Sequence, residues 1–268
     1  MELFPIKTPI IKPGDNIVDI TINSLKVLNL KLKDKDILVF AETPVGTAQN
    51  RIVDVNDVKE IGQKARELAI KYKMEPIFTQ IILNEADIIL GGVEGVLLTE
   101  KDGILIANAG VDQSNSGGKN KFSLFPDNPQ KTAADIRRKI IYISGVKELG
   151  VIIADSRVQP MKKGVIGVAI GVAGIEPVEN NIGRKDLFGM ELRHTTRAVA
   201  DDLVSASELL MGEADEQIPI VLIRNAPVIF TDREILADEM LMPRQKCLFM
   251  NVFKDLEAYK EPEHKKTD

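Results

Sequence analysis

Short apolar runs alternate along this chain with segments in which apolar residues return every three or four positions, a pattern that predicts a mixed α/β fold with mixed sheets flanked by helices. Residues 37–40, Ile-Leu-Val-Phe, read as the first clear strand. Residues 41–50 are rich in small and turn-forming types, and residues 51–55 read as a second strand. Asn56 is placed to cap a helix running to about residue 73, because Val58, Ile61, Ala65, Leu68 and Ala69 keep helical spacing. Pro76, in a position where a first-turn proline is tolerated, opens another helix through residue 82. Two strands, 96–99 and 104–107, flank Glu100-Lys101-Asp102-Gly103, which has the turn chemistry of a hairpin.

A polar stretch follows at 108–130, too long for a mere connector, and reads as a binding loop or lid. Thr132 caps a predicted helix to residue 143, and an apolar strand occupies 150–154. The glycines of 165–173 alternate with branched apolar residues, which is the pattern of a strand and not of a dinucleotide fingerprint. A long helix is predicted over 189–211, with Leu192, Thr196, Val199, Leu203, Ala206 and Leu210 along one face and His194 within it as a non-catalytic residue. Of Asp201 and Asp202, one faces solvent and the other makes a hydrogen bond inside the fold. Residues 218–224 form a last core strand, Thr231-Asp232 start a further helix, and Cys247 is a small core residue. No composition break marks a domain boundary. Residues 1–256 read as one unit, with two intertwined subdomains as the alternative, and 257–268 as a polar, solvated tail.

Composition narrows the function. A chain of 268 residues with 44% hydrophobic and 28% charged residues can bury a sizeable core, as globular proteins do. It contains no apolar run of membrane-spanning length, and its start lacks the basic and apolar regions of a leader, so the expected setting is the cytoplasm, with no membrane partner. The formal net charge of -5 and the absence of tryptophan argue against a nucleic-acid surface. With one cysteine and two histidines a zinc site of the usual kind is excluded, so any metal is a hard cation held by oxygen.

Three segments carry acidic or amide residues next to apolar runs, where α/β proteins place ligand groups: Asn108-Ala109-Gly110-Val111-Asp112-Gln113-Ser114-Asn115, Ala154-Asp155-Ser156 and Met211-Gly212-Glu213-Ala214-Asp215-Glu216-Gln217. Asp112 and Asp155, with the hydroxyl of Ser156, suit Mg²⁺ or Mn²⁺. Aspartates at strand ends commonly cap turns and helix starts instead, and spacing leaves both readings open.

Taken in order, these segments resemble the coenzyme F420-0:L-glutamate (γ-glutamyl) ligase family. Pro9-Ile10-Ile11-Lys12-Pro13-Gly14-Asp15 is similar to its opening block, and Gly183-Arg184-Lys185-Asp186-Leu187-Phe188-Gly189 and Leu209-Leu210-Met211-Gly212-Glu213 to later ones. The resemblance implies the family's fold, a homodimer, and a ligase that uses GTP and Mg²⁺ or Mn²⁺ to add L-glutamate to the terminal carboxylate of F420-0. It implies metal at Asp112, Asp155 and Ser156, and nucleotide at Asn115, Thr43, the segment Thr8, Pro9, Ile10 and Ile11, and Gly212, Glu213 and Asp215. Lys162 and Lys163 match a basic pair, and together with Arg157 they are assigned to offset charge developing in catalysis. This chain departs from the family pattern at Glu42-Thr43, where Ser-Thr is usual, at Thr47, where a lysine is usual, and at Arg157-Val158-Gln159, where Gly-Arg is usual. Those departures leave open another acceptor or nucleotide, or a binding protein without turnover. If only a phosphate contact has been lost, Thr47→Lys strengthens nucleotide binding.

Overall fold

The computed structural model describes residues 1–252 and 259–260, and it divides into two compact units. The first comprises Met1–Asn50 and Pro126–Met240, and the second comprises Arg51–Phe125 together with the chain from Leu241 onward. Among the described residues no helix is long and apolar enough to cross a membrane. The expected mixed α/β class is what the chain adopts.

In chain order the elements are β1 (Glu2–Ile6), α1 (Ile17–Val27), β2 (Asp36–Ala41), α2 (Glu42–Ala48), β3 (Ile52–Asp54), α3 (Gln63–Tyr72), α4 (Pro76–Glu85), β4 (Ile88–Val93), β5 (Val96–Lys101), β6 (Ile104–Ala107) and β7 (Lys121–Ser123). They continue with α5 (Pro129–Ser144), β8 (Leu149–Val158), β9 (Val165–Ala173), β10 (Glu179–Asn180), β11 (Thr196–Arg197), α6 (Val199–Met211), β12 (Ile220–Arg224), α7 (Leu248–Val252) and β13 (Tyr259–Lys260).

The first unit is built on a sheet of order β1-β12-β2-β8-β9. Only β2 and β8 run parallel; the other neighbours are antiparallel. The alternation of side chains puts Ile37, Val39, Ile152, Ala154, Val221 and Ile223 on one face, where they form a core with Val199, Leu203 and Val204 of α6. Against β8 and β9 runs α5, and its first turn is pressed so closely onto the sheet that a Cβ on Gly171 would lie 2.3 Å from the Pro129 carbonyl oxygen. Glycine is required there for that close approach.

Edge strand β9 is covered by side chains. Across the pair of β8 with β9, Ile153 opposes Gly171 and Ala154 opposes Ala169, so Ile170 is the extra residue of a bulge. The Ala169 N–H donates to Asp201, the Ser205 hydroxyl donates to the Gly167 carbonyl, and Gln130 exchanges bonds with both backbone groups of Val172. These contacts satisfy groups that an open edge would offer to another strand. Asp201 is therefore the hydrogen-bonding member of its pair, and Asp202 is exposed.

The second unit carries β13-β4-β5-β6, a ribbon of β3 with β7, and the helices α3 and α4. Leu68, Ile81, Ile82, Leu97 and Phe122 fill its core, with Phe78 stacked on Phe122 at 5.0 Å.

Several expectations are corrected. Residues 41–50, whose small and turn-forming types gave no sign of a helix, are largely helical as α2, with Val45, Gly46 and Thr47 at buried helix positions. Asn56 caps nothing: Asp54 caps a short 3-10 turn, Val55–Asp57, and α3 begins only at Gln63, while Val58 and Ile61 pack on the core from non-helical backbone. The cap of α5 is Asn128, whose side chain accepts from the Lys131 N–H, whereas Thr132 lies inside the first turn and donates to the Asp127 carbonyl. The polar stretch 108–130 is not loop throughout: it holds the 3-10 turn Asn108–Gly110, the strand β7 and the start of α5, which leaves its reading as a binding loop or lid untouched. Residues 189–197 belong to an extended hairpin, with Lys185 bridged to Glu191 and β10 to β11, so α6 begins ten residues later than its apolar spacing implies and His194 is exposed outside it. After Thr231-Asp232 only a 3-10 turn forms, Ala237–Met240. Cys247 is half-buried, not a core residue. Of the tail at 257–268, all but β13 lies outside the described residues.

Candidate functional site

The carboxyl ends of β2 and β8 build the site in the first unit. The two strands run in parallel register from Asp36 opposite Leu149 to Ala41 opposite Ala154. There β2 ends, and the next residue, Glu42, starts α2. β8 does not end: it continues through Asp155, Ser156, Arg157 and Val158, paired only with β9. The apolar run thus stops where β8 loses one of its two neighbours. Asp155 and Ser156 lie within a strand, four residues deeper than the strand-end placement expected of them.

This arrangement buries an acid beside another acid. Asp155 is only 8% exposed, and its Oδ2 has no hydrogen-bond partner. Burial, and next the Glu42 carboxylate, push the Asp155 carboxyl well above its ordinary value, against the pull of Arg157 and of the Ser156 N–H. Glu42 itself accepts from the Thr43 hydroxyl at 2.5 Å. Arg157, two residues along the same strand face, has a buried Nε without a partner, and burial lowers its guanidinium against the opposing fields of Asp155 and Asp201.

Glu208 is a site residue that sequence reasoning missed. Its carboxyl carbon lies 2.9 Å from where a Cβ on Gly167 would stand, and Gly167 is the strand partner of Ser156. Burial, then Glu213 and Glu42, push Glu208 up to about 7. The available signal was its place on α6, four residues after buried Val204 and three before buried Met211, where a charge borders the apolar stripe.

The two segments assigned to the nucleotide are brought together. The Thr8 N–H donates to the Gln217 carbonyl at 3.4 Å, and the Gln217 side-chain amide donates back to the Thr8 carbonyl at 2.7 Å. Thr8 is buried, Pro9 and Ile10 are exposed, and Ile11 is half-buried. In the loop after α6 the Ala214 N–H donates to Glu216, while Gly212, Glu213 and Asp215 are exposed. Lys162 and Lys163 are exposed in the turn between β8 and β9. Thr47 is buried within α2, so the position of the family's lysine is closed off in this chain.

Asp112 and Asn115 belong to the second unit. Asp112 is bridged by its backbone to Ser123, and its Oδ1 accepts from the Gln113 and Ser114 N–H groups at 2.7 and 3.1 Å, so it does cap a turn. Its Oδ2 meets the Ser114 hydroxyl. Both residues are exposed, and Asn115 sits in left-handed backbone with φ 52°.

A cavity of about 840 Å³ opens elsewhere in the first unit, at the start of β2, lined among others by Lys33, Lys35, Asp36, Glu148 and Arg224. Four of its charges pair with one another, Arg224 with Asp36 and Lys35 with Glu148, so it is left out of the site.

Against known families, the description F420-0:Gamma-glutamyl ligase matches residues 5–225. The chain belongs to the F420-0:gamma-glutamyl ligase family. It is 37% identical to the Coenzyme F420:L-glutamate ligase of Methanocaldococcus jannaschii, over 94% of this chain and 97% of that protein. The protein of the same name from Methanothermobacter thermautotrophicus is 35% identical over 90% of this chain and 95% of its own length. That of Archaeoglobus fulgidus is 34% identical over 85% and 89%. The family is one of enzymes, ligases by name, and the match takes in every residue assigned above to metal or nucleotide.

The site suits a hard divalent cation. A carboxylate oxygen that is buried and unpartnered carries a large desolvation cost unless a cation or a proton joins it. Among the described residues no group of three or more His, Cys, Asp or Glu side chains closes on a single point, so the protein would supply few of such a cation's ligands. Mg²⁺ is commonly held in this way, by one or two carboxylates with water and phosphate completing its shell.

Proposed function

We propose that this chain joins L-glutamate to the terminal carboxylate of coenzyme F420-0, using GTP and a divalent metal ion. Family membership supports the substrates, since its relatives carry the name Coenzyme F420:L-glutamate ligase. The observation that carries the chemistry is the buried, unpartnered Oδ2 of Asp155 beside Glu42. Glu42, Glu208 and Glu213 give the pocket a negative field, which would repel a triphosphate unless cations lay between them. Asp112, Asp155 and Ser156 are the residues assigned to hold Mg²⁺ or Mn²⁺. When bound, the metal supplies charge neutralisation for the phosphoryl oxygens.

The reaction has two steps. An oxygen of the acceptor carboxylate attacks the γ-phosphorus of GTP, forming an acyl phosphate and releasing GDP. The amine of glutamate then attacks the acyl carbon, an amide bond forms, and phosphate leaves as the nitrogen loses its proton. Thr8–Ile11, Thr43, Asn115 and the Gly212, Glu213 and Asp215 loop position the nucleotide in this reading. Lys162, Lys163 and Arg157 offset the charge that develops at the transferred group. Exclusion of water matters, because an acyl phosphate hydrolyses readily.

The test is isotopic. F420-0 labelled with ¹⁸O in its terminal carboxylate should pass one labelled oxygen to the released phosphate. Unlabelled phosphate, with product still formed, would rule out the acyl phosphate. A second reading is favoured by Glu42 and by the buried Thr47: the same ligase chemistry with a different acceptor or nucleotide. Product formation with ATP or with another carboxylic acid, and none with GTP and F420-0, would select it.

A further inference from the structure

We propose that Glu42 is a further protein ligand of the Asp155 cation, so that this chain binds the divalent ion before any nucleotide arrives. The proposal rests on the reading of Asp155 as a metal-holding residue and extends it to a side chain to which the family pattern gives no such role.

Register provides the geometry. Ala41 and Ala154 are paired neighbours on parallel strands, and Glu42 and Asp155 are the residues that follow them. Adjacent strands lie about 4.8 Å apart, which is the scale on which two carboxylates can share one ion. Glu42 is also the charged group that acts most strongly on Asp155. The acidic pair would not by itself define a site. A separate observation does: Asp155 is more than nine-tenths buried, and its Oδ2 is satisfied by nothing in the protein.

Three partners could satisfy that oxygen: a nearby cation of the protein, a proton or a metal ion. Arg157 is the protein cation that acts on Asp155, yet Asp155 Oδ2 and Arg157 Nε both remain without hydrogen bonds. A proton shared between the two acids would settle the charge in the metal-free protein and is displaced when a cation binds. A hard divalent cation uses both oxygens, and since no group of three or more acidic or other metal-ligating side chains closes on one point among the described residues, it completes its shell with water. Water in those positions is replaceable by phosphate oxygens when the nucleotide binds. A hydroxyl at this position, as in the Ser-Thr of the family pattern, would contribute no charge, whereas the carboxylate of Glu42 does.

The experiment uses the full-length chain, stripped of metal and nucleotide and titrated with Mn²⁺ alone, with free Mn²⁺ read by electron paramagnetic resonance. Wild type should bind, Glu42→Gln should bind at least ~10-fold more weakly, and Asp155→Asn should lose binding. Glu42→Ser, which places the family's residue at a position that tolerates it, is run alongside with circular dichroism to exclude loss of fold. Equal Mn²⁺ affinity in wild type and both Glu42 variants would overturn the role of Glu42 and, provided Asp155→Asn still abolished binding, would leave Asp155 as a ligand. No effect of Asp155→Asn would overturn both. Absence of Mn²⁺ binding by the nucleotide-free wild type would overturn the proposal on its own.

Discussion

Glu42 and Asp155 stand side by side because the two parallel strands that lead to them are in register up to Ala41 and Ala154. From that point the chain runs out of sheet on one side only: β2 turns into α2, while β8 goes on along β9. The candidate site of the first unit lies at this step in the sheet, the usual location of ligand groups in α/β proteins.

The Asp112 carboxylate holds its turn chiefly through Oδ1, which an asparagine retains. Asp112→Asn should therefore leave the unfolding free energy within about 0.5 kcal/mol of wild type while lowering turnover at least ~100-fold. Urea unfolding and a steady-state assay check the two halves. Full activity in a folded variant would remove Asp112 from the metal site.

Asp36 is fully buried and is held by a two-pronged bond from Arg224, Nε to Oδ1 at 2.8 Å and Nη2 to Oδ2 at 2.7 Å. Removing the guanidinium strands a buried carboxylate. Arg224→Met should cost about 3 kcal/mol in chemical denaturation, and Asp36→Asn in the same background should recover part of that loss. A cost below about 1 kcal/mol would mean that water or Lys33 takes over the arginine's role.

Gly167 lies under α6, and an added methyl would stand 2.5 Å from Val204 Cγ1 and 2.9 Å from the Glu208 carboxyl carbon. Gly167→Ala should lower stability by about 2 kcal/mol, since the helix must shift or the strand must bend. The same shift moves Glu208, so turnover should fall beyond what reduced folding explains. Thermal unfolding and the specific activity of the folded fraction separate the two effects.

Arg233 forms a fork with Glu176 and Glu239, bonding the first through Nε at 2.8 Å and the second through Nη1 at 2.8 Å. Hydrogen bonds from Arg233 hold both carboxyls below the ordinary glutamate value. A lowered folded-state value means that the stabilisation is present above the ordinary glutamate pKa and is lost as pH falls through the depressed values. Wild type should exceed Arg233→Ala in urea midpoint at pH 7, and the gap should close toward pH 3. A gap independent of pH would assign the effect to packing.

Much of the fold was legible because burial writes a period into the sequence. The strands β2, β8 and β9 were readable from unbroken or glycine-alternating apolar runs. The start of α6 was not, because Leu192 and Thr196 keep helical spacing by coincidence while their backbone is committed to the β10–β11 hairpin. α2 was hidden by small residues that are as common in turns as in tightly packed helices. At the site, Asp155 was found from its neighbours in sequence, but its depth within β8 depends on where β2 ends, which is a relation between strands. Glu208 was missed for the same reason: what makes it part of the site is Gly167, forty-one positions earlier and across from Ser156.

The central claim is tested most directly by incubating the purified full-length chain with F420-0, L-glutamate, GTP and Mn²⁺ and weighing the deazaflavin product. The account predicts a mass gain of one glutamyl unit, with GDP and phosphate formed in step and no gain once the metal is chelated. An F420-0 whose mass stays unchanged under these conditions, with the protein folded and Mn²⁺ bound, would contradict it.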